Sequence, residues 1–317
     1  MRAWLGVFLS LMTAVVWAMA YPPLSVEVKA TPVGAHSWFV RGLDGAASAT
    51  NEGFMSNAGF VVTPAGVVVF DTLGSPSLAA AMLAEIRRVT HQPVRRVIVS
   101  HYHADHYYGT QVFKDAGAEV WAHRHADGVI GSEPAKQRFE QRKQVLGEWI
   151  SDRTQRFVKP DLWLEGDTDF ELGGVHFRLR HVGPAHSAED LALLVVEDGV
   201  LYAGDLVFSG RVPFVGDADS RLWLAALDKL LALSPKVLVP GHGAASDTPQ
   251  QDLQLTRDYL HFIRQAMGRA VDEMVPFETA YAQTSWAPYD RMPAFGLANR
   301  PNAYNTYLLM EREALGR

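Results

Sequence analysis

The chain has 317 residues, 48% of them hydrophobic and 20% charged, with a formal net charge of -6. That length and balance allow a sizeable buried core and exclude disorder as the dominant state, which needs low hydrophobicity and high net charge. An acidic surplus offers nothing to hold a phosphate backbone, so no nucleic-acid partner is expected and a small-molecule substrate is. Cysteine is absent. Disulfide frameworks, Cys-ligated zinc, iron–sulfur clusters and thiol nucleophiles are therefore excluded, and any metal must be held by His, Asp or Glu.

Residues 1–20 read as a secretory signal peptide. Arg2 precedes an apolar run from Ala3 to Ala18, which closes on Ala18-Met19-Ala20 before Tyr21-Pro22-Pro23. Cleavage after Ala20 makes the protein secreted or periplasmic. The alternative is a retained membrane anchor, for which the run is short, and no second apolar stretch of about 20 residues follows.

Short strands are expected at Val26–Val28 and Trp38–Val40. Phe60–Thr63 and Val67–Phe70 flank Pro64-Ala65-Gly66 as a hairpin. Ala46–Asn57, rich in Ala and other small residues, reads as a mobile loop over the site. Apolar residues at 78, 82, 83, 86 and 89 predict a helix over Ser77–Thr90. Val94–Val99 is a buried-type strand, a helix runs from near Asp105 through Gln111–Ala116, Glu119–Ala122 is a strand, and residues 133–150 are charged and helix-prone. The second half repeats the plan. Hairpins are centred on Gly173-Gly174 and Asp198-Gly199. A helix over Leu222–Leu233, a strand over Lys236–Val239 and a helix over Asp252–Met267 follow, with a last helix at Ala303–Leu315. The pattern describes two β-then-α halves packed sheet on sheet with helices outside. Residues 21–250 are expected to form one main domain and 251–317 a helical extension packed on it. Its aromatic residues Trp286, Tyr289, Phe295, Tyr304 and Tyr307 are candidates for a groove cap, a dimer contact or core.

His101, His103, Asp105 and His106 form H-x-H-x-D-H directly after a strand. A nearly extended segment repeats its facing direction every two residues, so His101 and His103 can converge while Asp105 and His106 turn toward a neighbouring position. Three more donors sit at strand ends beside Gly: His186 in Gly183-Pro184-Ala185-His186, Asp205 in Gly204-Asp205, and His242 in Gly241-His242-Gly243. Five imidazoles and two carboxylates suffice for two metals sharing a bridging carboxylate, and the donor types suit zinc, and also iron or manganese. The remaining histidines, His123 and His125 among them, have no such context.

This ordered set resembles the metallo-β-lactamase superfamily over Val26 to Ala245. The resemblance implies a layered α/β fold, the four-layer αββα sandwich, with its metal site at one sheet edge. It implies a first metal site of His101, His103 and His186, a second of Asp105, His106 and His242, and Asp205 bridging both. Asp71 resembles the acid behind the metal loop. Two Zn2+ ions per chain would then share a hydroxide that attacks a carbonyl, with Asp105 as the catalytic group orienting it.

The segment Gly216-Asp217-Ala218-Asp219 is similar to the β-lactamase branch, yet that branch carries Cys at the position of Asp205. It commonly carries Lys where this chain has Phe208, and often Asn where it has Phe214. Two apolar residues stand where a substrate carboxylate would be gripped, and Arg211 is the candidate substitute. The bridging Asp resembles thioester hydrolases of the glyoxalase II kind and lactonases. The whole pattern with its leader is similar to exported members found beside sulfur-oxidation and quinoprotein systems. The expected activity is metal-dependent hydrolysis of a thioester, lactone, ester or β-lactam amide. The alternatives are a β-lactamase proper, a mononuclear iron persulfide dioxygenase-like oxidoreductase, and a non-catalytic exported metal-binding protein.

Overall fold

Turn chemistry and strand pairing build the first sheet from β1 (Ala30–Pro32), β2 (Ser37–Val40), β3 (Ala58–Thr63) and β4 (Gly66–Phe70). The computed structural model describes residues 21–216 and 218–316; the expected signal peptide and Asp217 lie outside the described residues. β3 and β4 pair antiparallel around the predicted turn, where Thr63 Oγ1 donates to the Gly66 carbonyl at 2.8 Å. Helix α1 (Pro76–Val89) follows, with Ser75 accepting from the Leu78 N–H at its start and Pro76 in its first turn. β5 (Val94–Ile98), α2 (Ala104–Tyr107), α3 (Thr110–Asp115), β6 (Glu119–His123), α4 (Glu133–Leu146) and β7 (Leu162–Leu164) complete this half. The seven strands lie in sequence order, antiparallel from β1 to β4 and parallel from β4 to β7.

The second sheet holds β8 (Thr168–Leu172), β9 (Val175–His181), β10 (Leu191–Val195), β11 (Val200–Phe208) and, after helix α5 (Ser220–Ala232), β12 (Val237–His242). Its order is β12-β11-β10-β9-β8, with β11 and β12 parallel. Helices α6 (Pro249–Asp272), α7 (Phe277–Gln283) and α8 (Phe295–Leu315) end the chain.

The two sheets face each other through Phe39, Val61, Phe70 and Ile98 on one side and Phe177, Leu193, Val195 and Tyr202 on the other. The outer face of the first sheet is covered by Leu78, Met82 and Ile86 of α1 and by Phe113 of α3. The outer face of the second is covered by Trp223 and Leu227 of α5 and by Leu253 and Leu260 of α6. Four layers result: helix, sheet, sheet, helix. β10 and β11 are buried along their whole length, as strands covered on both faces must be.

Several expected elements differ. Val26–Val28 is not a strand, because the N–H groups of Ser25 and Val26 are taken by the Glu52 carboxylate instead of a ladder. The helix expected from Asp105 to Ala116 is two, parted at Tyr108-Gly109, where Gly109 presses so close to the Thr72 carbonyl that a Cβ would sit 2.0 Å from it. β11, which follows the expected turn at Asp198-Gly199, runs on as far as Phe208, and α8 begins at Phe295 rather than Ala303, with Pro301 inside it. Trp286, Tyr289, Phe295 and Tyr307 of the aromatic tail pack in or against the core, while Tyr304 stays 46% exposed. Tyr289 packs edge-on to Tyr259 with ring centroids 5.1 Å apart, and Trp286 lies 5.6 Å from Phe262.

His123, His125 and His181 gather between the sheet ends, with their ring nitrogens within 4.8 Å of one another. The rings of His123 and His181 stack 3.5 Å apart and 6° from parallel. An ion in the plane of one ring would then stand off the plane of the other, so the pair reads as packing. Burial, with His181 and His125 beside it, lowers the His123 pKa to about 4. The unfolded chain titrates near 6.5, so between these values it binds more protons than the folded chain. The stability from neutral His123 is therefore complete above about pH 6.5 and is lost as the pH falls toward about 4. His123→Phe keeps a stacked ring and removes the proton. Its Tm should fall less than the parent's between about pH 7 and about pH 4.5 in metal-free calorimetry; an identical fall would show that this ring does not contribute.

Candidate metal centre

The loop after β5 carries four of the expected donors, and the ends of β11 and β12 and the loop before β10 bring the other three. The structure gathers all seven. His103 Nδ1 lies 3.1 Å from His101 Nε2 and 2.9 Å from His186 Nε2. Asp205 Oδ2 stands 3.4 Å from His186 Nε2 and 3.9 Å from His101 Nε2. Its other oxygen, Oδ1, stands 3.1 Å from His106 Nε2 and 3.3 Å from His242 Nε2. Asp105 Oδ2 completes that second set at 3.6 Å from His106 Nε2 and 3.4 Å from His242 Nε2. Asp205 thus offers one oxygen to each of two donor sets.

The outward nitrogens settle the tautomers. Ser100 Oγ donates to Asp71 Oδ2 at 2.8 Å and accepts from His101 Nδ1 at 2.9 Å. His106 Nδ1 donates to Asp71 Oδ2 at 2.9 Å, and His242 Nδ1 donates to the Met55 carbonyl at 2.8 Å. The Nε2 lone pairs of all three rings therefore point inward. Asp71, expected behind the metal loop, also accepts the Ser100 N–H at 2.8 Å and is 1% exposed.

These residues fit a metal pair. His106 Nε2 and Asp205 Oδ1 are buried without a hydrogen-bond partner among the described residues. Lone pairs facing one another at such distances repel unless a proton or a metal cation lies between. Tetrahedral zinc with bonds of about 2.0–2.1 Å sets its donors roughly 3.3–3.4 Å apart, close to the spacing seen in both sets. Burial and neighbouring histidines hold His101 and His103 well below their ordinary pKa, and His186 is lowered to about 4 by burial against the pull of Asp205. Neutral rings are what ligation requires; His106 differs, because Asp205 and Asp71 outweigh burial and hold its pKa well above the ordinary value, so it must give up a proton to bind metal. Burial would raise Asp105, but His106, Arg142 and His242 outweigh it and bring its pKa to about 2. Asp205 is likewise held well below the carboxylate range, burial being outweighed by His242 and His106.

Two glycines let the strands carry this load. A Cβ on Gly241 would lie 2.0 Å from Asp205 Oδ1. Gly204 has φ 53° and sits against Ser100, where the β11–β12 register shifts. Above the donors opens a cavity of about 400 Å³. Phe208 is buried in its wall and stacks on His242, rings 5.2 Å apart and 3° from parallel. Trp223 meets His186 edge-on at 5.3 Å. Phe214 stands at the rim, 44% exposed, and Arg211 lines the wall, 9% exposed.

Sequence reasoning missed Arg138, Gln141, Arg142 and Val145, which line the cavity from α4, and Leu297 and Ala298 from α8. The first four have the i, i+3, i+4, i+7 spacing of one helix face, a signal present in the sequence. The expected mobile loop is anchored over its second half. Ser56 Oγ donates to the Asp105 carbonyl at 2.5 Å, and the Asn57 amide donates to the carbonyls of Pro240 and Gly243 at 2.8 and 2.9 Å. The C-terminal helix grips the segment after Arg211: Asn302 accepts the Val215 N–H at 2.8 Å and donates to the Pro213 carbonyl at 2.7 Å.

The chain belongs to the metallo-beta-lactamase superfamily, whose family model matches residues 51–242. Among individual proteins it is 24% identical over 240 residues to a linear primary-alkylsulfatase of Pseudomonas sp. (strain ATCC 19151), covering 64% of this chain and 45% of that protein. Its fold matches a stereoselective inverting sec-alkylsulfatase from Pseudomonas sp. with TM-score 0.71 at 18% identity, over 89% of this chain and 50% of the other. It also matches a metallo-beta-lactamase from Pontibacter korlensis with TM-score 0.59 at 22% identity, over 74% of this chain and 99% of that one. The chain spans about half the length of the alkylsulfatases it matches.

Because Asp71 orients His106 directly and His101 through Ser100, Asp71→Asn should weaken zinc binding by ~10–100-fold. Competition against a chromophoric chelator reads this. Unchanged affinity would mean the Asp71 hydrogen bonds do not orient the donors.

Proposed function

We propose that this chain is a two-metal hydrolase acting on a carbonyl ester, thioester, lactone or amide, with zinc as its metal. One observation carries the reading: Asp205 turns its two oxygens toward two separate, complete donor sets. His101, His103 and His186 would hold one ion, and Asp105, His106 and His242 the other. A zinc pair so held would supply Lewis acidity and a water acidified to near neutrality.

The chain's own groups then do the following. Asp105 keeps an ionised carboxylate at the cavity floor, with Oδ1 3.5 Å from Arg142. It can accept a hydrogen bond from the attacking water and orient it. Phe208 and Trp223 keep bulk water from the imidazoles they cover. Among the described residues the cavity wall carries no Ser, Thr, Cys or Lys, which favours direct attack by water over a covalent intermediate on a hydroxyl or amine. The complete second set disfavours a mononuclear iron oxidoreductase. On this reading the leader exports the enzyme, and residues 251–317 serve the catalytic domain as a helical extension.

A second reading, sulfate-ester hydrolysis, is favoured by one comparison. The fold match to the sec-alkylsulfatase covers 89% of this chain, which residues 1–250 cannot supply alone. That likeness therefore reaches into the C-terminal helices.

The zinc-loaded protein should be assayed on a thioester, a lactone, a chromogenic cephalosporin and an alkyl sulfate. Carbonyl turnover is expected, and Asp105→Asn should lower it ~100-fold or more. Turnover of the sulfate alone would install the second reading. Oxygen uptake by the iron-loaded protein, with no hydrolysis by the zinc form, would overturn both.

A further inference from the structure

The cavity over the metal centre has two kinds of wall. Deep in it, Arg211 is 9% exposed, and its Nε is buried without a hydrogen-bond partner among the described residues. No described carboxylate lies within 4.0 Å of Arg211, although Asp205, Asp44 and Asp105 act on it from farther away. Arg138 has only a 3.5 Å contact to the Tyr102 carbonyl and no ion pair among the described residues. Guanidinium groups are ordinarily buried with an anion, because a desolvated cation without one is costly. Asp205, Asp44 and Asp105 offset part of that cost from a distance, and an anion from outside would supply the direct contact that Arg211 lacks among the described residues.

The mouth is apolar. Ten large hydrophobic side chains are exposed among the described residues, and three of them, Val145 at 45%, Phe214 at 44% and Leu297 at 55%, line this one cavity. They come from α4, the segment before α5, and α8, so no single element's amphipathicity explains their meeting. Phe208 continues the apolar wall inward to His242. Exposed apolar side chains clustered at a cavity mouth mark a binding surface.

We propose that the substrate is an anionic amphiphile: Arg211, assisted by Arg138, pairs with its oxyanion head, and its aliphatic chain lies along Phe208 and out between Phe214, Leu297 and Val145. This deepens the hydrolase reading and rests on it for the chemistry, while binding itself does not. Carboxylate and sulfur oxyanions share the required planar or forked acceptor geometry. A cavity of about 400 Å³ takes a medium-length chain.

Isothermal titration of the zinc-loaded protein with decanesulfonate, decanoate, decan-1-ol and butanesulfonate tests this. Both decyl anions should bind, and the tighter of the two identifies the head group. Decanol and butanesulfonate should each bind ~10-fold or more weakly, the first for want of charge and the second for want of buried methylenes. Arg211→Gln should cost the decyl anions ~10-fold and abolish their advantage over decanol, with Arg211→Lys restoring part of it. Leu297→Ser, on an exposed position that leaves the core intact, should weaken decyl anions and leave butanesulfonate unchanged. Decanol binding as tightly as decanoate, or Arg211→Gln binding both anions like the parent, would overturn the proposal. Anion binding without hydrolysis of any anionic decyl ester would sink the hydrolase reading alone. Hydrolysis of short neutral esters without decyl-anion binding would sink this inference alone.

Discussion

A carboxylate with no access to water organises the floor of the site. Asp71 accepts the Ser100 N–H, the Ser100 hydroxyl and His106 Nδ1, and so ties the end of β4 to the loop after β5. Left without those donors, such a buried charge would cost several kcal/mol, so the loop has little freedom to be elsewhere. The backbone at Asp71 bends to allow it, with φ 62° in the left-handed region that Asp tolerates better than most residues. Leu73, at φ 64°, has no such excuse, and a strained leucine beside a site is the kind of cost that surrounding packing must offset.

The second sheet answers this loop with Asp205. Its placement depends on features that mean nothing to the sheet itself: a register shift in β11, a left-handed Gly204 and a Gly241 that leaves room for the carboxylate. The sandwich interface of Phe70, Ile98, Phe177 and Tyr202 holds the two contributions at a fixed separation. Rigid packing of this kind is what lets donors from four chain segments converge to within a few tenths of an ångström of ligating spacing.

The candidate metal donors and the cavity walls come from different parts of the chain. The donors lie on strand ends and tight loops inside the matched family region, residues 51–242. The cavity walls come partly from α4 and from α8, and α8 lies beyond that region. Asn302 links the two, holding the backbone of the segment that carries Arg211 and Phe214. Phe208, Arg211 and Phe214 line one and the same cavity.

The ligand set was legible in the sequence because each motif is encoded locally. H-x-H-x-D-H needs only a strand running into a helical turn, and Gly183, Gly204 and Gly241 mark close approach near the other three donors. Short continuous apolar runs bounded by turn residues, such as β3 and β4, were legible for the same reason. Val26–Val28 was misread because its amides find a carboxylate 26 residues away in sequence rather than a neighbouring strand. The start of α8 was misplaced because Pro301 lies inside it. The anchored stretch 51–57 read as mobile because its partners, Asp105, Pro240, Gly243 and His242, are distant in sequence. Sequence by itself determined which atoms could hold metal, since backbone geometry over a few residues decides that. Only the tertiary structure decided what faces those atoms across the cavity, since Arg138, Arg211 and Leu297 are neighbours through packing and share no local pattern.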